Sequence, residues 1–160
     1  MNSFCTGVED AIQRREIESL AAFEEAGLSC GPETILLVED EAFVRKATAE
    51  VLESAGYRLL ITASAAEALE AFRRCVRPVD LLLADVIMPG MSGRELATEF
   101  KSLCPRARVL LMSGHAEQLA GWGLAASGGK CLAKPFSTRT LLGKVREVLA
   151  ANTFDVGAQA

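Results

Sequence analysis

The sequence predicts an α/β domain wound about a parallel sheet, and three observations predict it. Apolar runs alternate with amphipathic segments five times between Thr34 and Ala150, the sequence form of repeated βα units. The runs Ile35–Val38, Leu81–Ala84 and Val109–Met112 carry no polar alternation, as expected of central strands covered on both faces. Four runs also end in reactive polar residues: Glu39-Asp40, Asp85, Ser113 and Lys134-Pro135. In a parallel sheet these residues converge at the carboxyl edge, where open α/β sheets keep their ligand sites.

The remaining runs, Arg58–Ile61 and Cys131–Ala133, are weaker and read as edge strands. Between the strands, four apolar series at helical spacing predict four buried helix faces: Phe43, Ala47, Val51 and Ala55; Ala65, Leu69 and Phe72; Leu96, Phe100 and Leu103; Leu141, Val145, Val148 and Leu149. Ser64-Ala-Ala-Glu67 and Ser92-Gly-Arg-Glu95 match the capping box that opens a helix, and Gly56 stands where the first helix should stop. The fourth connecting segment, His115 to Ala126, contains Gly121 and Gly123, each costing about 1 kcal/mol of helix propensity relative to Ala, so a short helix is expected there. Residues 1–33 stand apart as a helical extension from Glu9 to Ala26 and a linker ending at Pro32, and residues 151–160 read as a disordered tail. The extension reads either as a partner or dimer element or as a solvated appendage.

Composition narrows the function. A chain of 160 residues, half of them apolar, suits one domain with a full core. A net charge of -4 without a basic run argues against direct nucleic-acid binding. The five cysteines, Cys5, Cys30, Cys75, Cys104 and Cys131, are scattered, which suggests neither a disulfide framework nor a thiolate metal site. With no signal-peptide pattern and no apolar run near the ~20 residues of a membrane span, a cytoplasmic location is expected.

The converging residues suit phosphoryl chemistry. Asp85 is a carboxylate at neutral pH and an oxygen nucleophile toward phosphorus. Beside Glu39 and Asp40 it would meet repulsion of up to ~4 kcal/mol per close pair at an effective dielectric near 20, so cations belong to such a site. Lys134 supplies one, and clustered carboxylates with incoming phosphate oxygens describe the partly hydrated site that Mg²⁺ prefers. Ser113 is placed to donate a hydrogen bond to a phosphoryl oxygen, and a cis bond at Pro135 is one way to turn Lys134 toward the site.

In the order Glu-Asp, Asp, Ser, Lys-Pro, with Asp40, Asp85, Ser113 and Lys134 separated by 45, 28 and 21 residues, this set resembles the receiver domain of bacterial two-component response regulators. The segments that carry the resemblance are Ile35-Leu-Leu-Val-Glu-Asp-Glu41, Asp80-Leu-Leu-Leu-Ala-Asp-Val-Ile-Met-Pro-Gly-Met-Ser-Gly93, Val109-Leu-Leu-Met-Ser-Gly114 and Lys134-Pro-Phe136, within a stretch from 34 to 150. The resemblance implies a doubly wound, flavodoxin-like sheet of five parallel strands in the order 2-1-3-4-5. It also implies that Asp85 is the phosphoacceptor, that Asp40 and Asp85 bind Mg²⁺ directly, that Glu39 acts largely through metal-bound water, and that the Ile87 carbonyl is a further ligand. Ser113 and Lys134 would contact the acquired phosphoryl group. The donor would be the phosphohistidine of a histidine kinase or phosphotransfer protein, with the receiver catalysing its own phosphorylation rather than turning over a metabolite. The expected output is a changed contact with an unknown downstream protein, with no output domain in this chain.

The wording Leu-Met-Ser-Gly-His and Leu-Ala-Lys-Pro-Phe resembles receivers joined to, or working with, hybrid histidine kinases. One departure concerns switching: three residues before the site lysine the family usually carries Tyr or Phe, and here the residue is Cys131. A switch built on Ser113 and Cys131 therefore lacks the usual ring, and the backbone of Ser113–Ala126 is the expected carrier of output. Ile87 and His115 occupy the two positions where the family tunes acyl-phosphate hydrolysis. Two other classes fit less well. A dehalogenase-type phosphohydrolase needs a second acid where Ile87 stands, and FMN binding would set a phosphate against Glu39-Asp40-Glu41.

Overall fold

The computed structural model describes residues 33–114 and 131–151. The expectations for residues 1–32 of the extension, the His115–Ala126 segment and residues 152–160 lie outside the described residues. Five strands, β1 (Thr34–Val38), β2 (Arg58–Thr62), β3 (Leu81–Asp85), β4 (Arg108–Ser113) and β5 (Cys131–Ala133), form one sheet in the order β2-β1-β3-β4-β5. Every pairing is parallel, with Leu36 opposite Leu60 and Leu82, Leu83 opposite Leu110, and Met112 opposite Leu132. Four described helices, α1 (Ala42–Ser54), α2 (Ala65–Arg74), α3 (Gly93–Leu103) and α4 (Thr138–Ala150), cover it.

β1 and β3 are buried at every residue, as their unbroken apolar runs require, while the edge strand β2 leaves Arg58 and Ile61 exposed. Alternation along each strand splits the core. Leu36, Val38, Leu82, Ala84, Val109 and Leu111 pack in one cluster with Ala65, Ala68 and Leu69 of α2 and Leu96, Ala97 and Phe100 of α3. There Phe72 and Phe100 meet edge to face, with ring centroids 4.9 Å apart, a geometry their quadrupoles favour. α1 and α4 pack against each other, with α1 lying on β1 and β2 and α4 on β4.

Three of the four predicted helix faces are recovered, in α2, α3 and α4, although Leu103 at the end of α3 is half exposed. The face predicted for α1 is wrong. Phe43 is 79% exposed and Ala47 is exposed, whereas Thr48, Ala49 and Leu52 are buried. Phe43, Ala47, Val51 and Ala55 repeat strictly every four residues, and four residues overshoot one turn by roughly 40°. That series drifts from solvent at its start to the half-buried Val51 and Ala55 at its end.

Local chemistry fixes the helix ends. Ser92 and Glu95 form the complete capping box at α3, through Glu95 N–H to Ser92 Oγ and Ser92 N–H to Glu95 Oε2. At α2 the box is shifted: Ser64 Oγ accepts from Glu67 N–H, but the Glu67 carboxylate accepts from Ala63. Ser137 caps α4 by accepting from Thr140 N–H. Gly56, at φ 90°, takes the left-handed turn after α1 that a side chain disfavours. Ala151 follows α4, and its carbonyl accepts from the Arg108 guanidinium of β4. No described helix is long and apolar enough to cross a membrane.

Candidate functional site

Parallel pairing brings the ends of β1, β3, β4 and β5 to one edge of the sheet. Asp85 is the last residue of β3 and Ser113 the last of β4, while Glu39-Asp40 and Lys134 directly follow β1 and β5. Val86 N–H donates to Met112 O and Lys134 N–H to Ser113 O, both at 2.8 Å, so the ladder continues into the site. Glu39 is almost fully buried, Asp85 nearly so, and Asp40 faces solvent. Carboxylate oxygens from the three lie within 4.8 Å of one another.

The cation demanded by that crowding is present. Lys134 Nζ lies 2.6 Å from Glu39 Oε2 and 2.6 Å from Asp85 Oδ2. The other Asp85 oxygen, Oδ1, accepts from Ile87 N–H at 3.1 Å, and Glu39 Oε1 accepts from Glu41 N–H at 3.3 Å. Burial pushes the Glu39 carboxyl above its ordinary range, against the opposing pull of Lys134. Burial alone would lower the Lys134 pKa, but hydrogen bonds to Asp85 and Glu39 outweigh it and hold the ammonium above its usual value.

Of the residues singled out from sequence, the structure brings Glu39, Asp40, Asp85 and Lys134 together, with Ser113 fully buried at the adjacent strand end. The Lys134–Pro135 peptide is cis. Ile87 turns its side chain outward, 53% exposed, on the loop beside Asp85. Cys131 opens β5, half-buried against the cluster beneath α2 and α3, and burial raises its thiol pKa.

Two residues of the site region escape pattern reading. Gly93 opens α3, and a Cβ there would lie 1.9 Å from the backbone oxygen of Asp85, so only glycine permits the approach. Gly93 N–H donates to Val86 O at 3.1 Å, which ties the helix start to the segment carrying the acid. Arg45, in the first turn of α1, reaches back to the carbonyls of Glu39 and Asp40. A helix former's loss at Gly93 and a cation in a first turn, where the dipole disfavours one, were the available signals.

Three clustered carboxylate oxygens, two of them on nearly buried side chains, fit a hard, oxygen-seeking cation such as Mg²⁺. Against known proteins, the response regulator receiver domain profile matches residues 35–146. The chain belongs to the receiver domain family. Among curated relatives, the sensor kinase CckA of Brucella abortus is 38% identical over 127 residues, covering 79% of this chain but 13% of CckA. The receiver protein CpdR of the same organism is 34% identical over 118 residues, covering 73% of this chain and 97% of CpdR. Among solved structures, the receiver domain of the hybrid histidine kinase CckA aligns with TM-score 0.62 at 34% identity, covering 72% of this chain and 98% of that one. Thermotoga maritima TrrA, solved with Mg²⁺-BeF, aligns with TM-score 0.65 at 28% identity, covering 72% of this chain and 98% of that one.

This receiver therefore has relatives of both kinds, one inside a hybrid kinase and one of about its own matched length. The expected resemblance to receivers associated with hybrid kinases is borne out. Accepting a phosphoryl group on an acidic, Mg²⁺-binding pocket is general to the family.

Proposed function

We propose that this receiver, residues 34–150, accepts a phosphoryl group on Asp85 from the phosphohistidine of a histidine kinase or phosphotransfer protein. The observation that carries the reading is the placement of Lys134 Nζ 2.6 Å from both Glu39 and Asp85, beside three carboxylates that share one small volume. Glu39, Asp40, Asp85 and the Ile87 carbonyl would hold Mg²⁺, which when bound offsets charge on the phosphoryl oxygens. An Asp85 oxygen forms the new O–P bond in line as the N–P bond of the donor breaks, and the imidazole keeps that electron pair and is protonated.

Lys134 then exchanges part of its contact with Asp85 for a phosphoryl oxygen, and Ser113 donates to another. Loss of the Lys134 bridge changes the contacts of β5 and of the β4 end, and the output is an altered surface for a downstream protein. Cys131 carries no ring to report the change, so the signal travels through backbone beyond Ser113. Incubation with Mg²⁺ and acetyl phosphate tests the reading. A single acid-labile phosphoryl adduct is expected by intact mass, lost on chelation and in Asp85→Asn; an adduct that survives Asp85→Asn contradicts it.

A further inference from the structure

Two consecutive carbonyls, those of Glu39 and Asp40, fall between the strand ladder of β1 and the first helical bond of α1, from Arg45 N–H to Glu41 O at 2.9 Å. Both are taken by one guanidinium nitrogen: Arg45 Nη1 donates to Glu39 O at 2.6 Å and to Asp40 O at 3.0 Å. On the strand side, Glu39 N–H donates to Thr62 O at 3.2 Å. The peptide planes around the acid pair are thus held from β2 and from α1. The same Arg45 sits where the positive end of the helix disfavours a cation, so the carbonyl bonds offset an unfavourable location.

We propose that Arg45 is a positioning residue for the cation site: by clamping these two carbonyls it sets the direction in which the Glu39 and Asp40 side chains leave the backbone. The inference rests on the reading that Glu39, Asp40 and Asp85 take a divalent cation. Charge and position make opposite demands here. A guanidinium near a cation site weakens cation binding through repulsion, so deleting it would tighten binding unless it holds the ligands in place.

The test is Mn²⁺ binding to the full chain, followed by the electron paramagnetic resonance signal of free Mn²⁺, for wild type, Asp40→Asn, Arg45→Ala and Arg45→Lys. Arg45→Ala is expected to bind about tenfold more weakly, the size of effect seen when groups that orient metal ligands are removed. Arg45→Lys keeps the charge but ends one bond short of the Nη1 that makes both contacts, and is expected to fall between the two. Arg45→Ala binding as tightly as wild type, or more tightly, overturns the proposal, and so does full recovery in Arg45→Lys. Should Arg45→Ala lack wild-type helical ellipticity, Arg45→Lys decides. Wild type that takes up no Mn²⁺, or Asp40→Asn that binds like wild type, instead overturns the site reading and the inference with it.

Discussion

The ammonium of Lys134 lies 2.6 Å from Oδ2 of Asp85 across 49 residues of sequence. That contact, made because β5 and β3 end at the same edge of a parallel sheet, links the element that would accept phosphorus to the strand at the sheet's rim. Its side chains are 19% and 13% exposed, so water screens it only partly.

Removing the ammonium should therefore be costly in the absence of metal. Lys134→Met leaves Glu39 and Asp85 without their shared cation, and breaking a buried pair costs about 3 kcal/mol. Urea unfolding in chelator is expected to show that loss, and millimolar Mg²⁺ is expected to restore part of it. Equal stability of the variant and wild type in chelator would contradict the role given to Lys134.

Two glycines in helices should respond oppositely to the same change. Gly93→Ala drives a methyl group into the backbone oxygen of Asp85, and such overpacking costs about 2 kcal/mol. Gly143 in α4 is exposed, with nothing within 4 Å of an added Cβ, so Gly143→Ala should stabilise by about 1 kcal/mol through helix propensity. Thermal melts of the two variants check both signs, and Gly93→Ala should also slow phosphorylation by acetyl phosphate because Asp85 moves.

The pH dependence follows from burial of Glu39. Its folded-state pKa lies above the ordinary 4.5, so the folded state favours the protonated form, and stability falls as pH rises from the unfolded value through the folded one. Glu39→Gln mimics the neutral carboxyl and lacks that fall. In chelator, its stability advantage over wild type should grow between pH 4 and pH 7; an advantage that shrinks over that range would refute the assignment. Lys134 adds a second fall of the same sign at alkaline pH, since its raised pKa supplies stability that is complete below 10.5 and lost as pH rises through the folded-state value.

Most of the site was legible because its side chains close separate strands, and a parallel sheet carries strand ends to one edge whatever lies between them. Glu39, Asp40, Asp85, Ser113 and Lys134 needed only that rule. The solvent-facing start of α1 was not legible, because Phe43 and Ala47 satisfy a four-residue repeat while the helix phase, set where the chain leaves β1, turns Thr48, Ala49 and Leu52 inward. Arg45 and Gly93 act on backbone carbonyls. Carbonyls are the same at every position, so side-chain patterning has nothing to match against them.

The central claim is that phosphorus is carried by Asp85. Borohydride reduces an aspartyl phosphate to homoserine, so protein treated with Mg²⁺ and acetyl phosphate, reduced and mapped by peptide mass spectrometry, should carry homoserine at position 85 alone. Homoserine at position 40, 5-hydroxynorvaline at position 39, or a phosphoryl group that survives reduction on His115 would contradict the account.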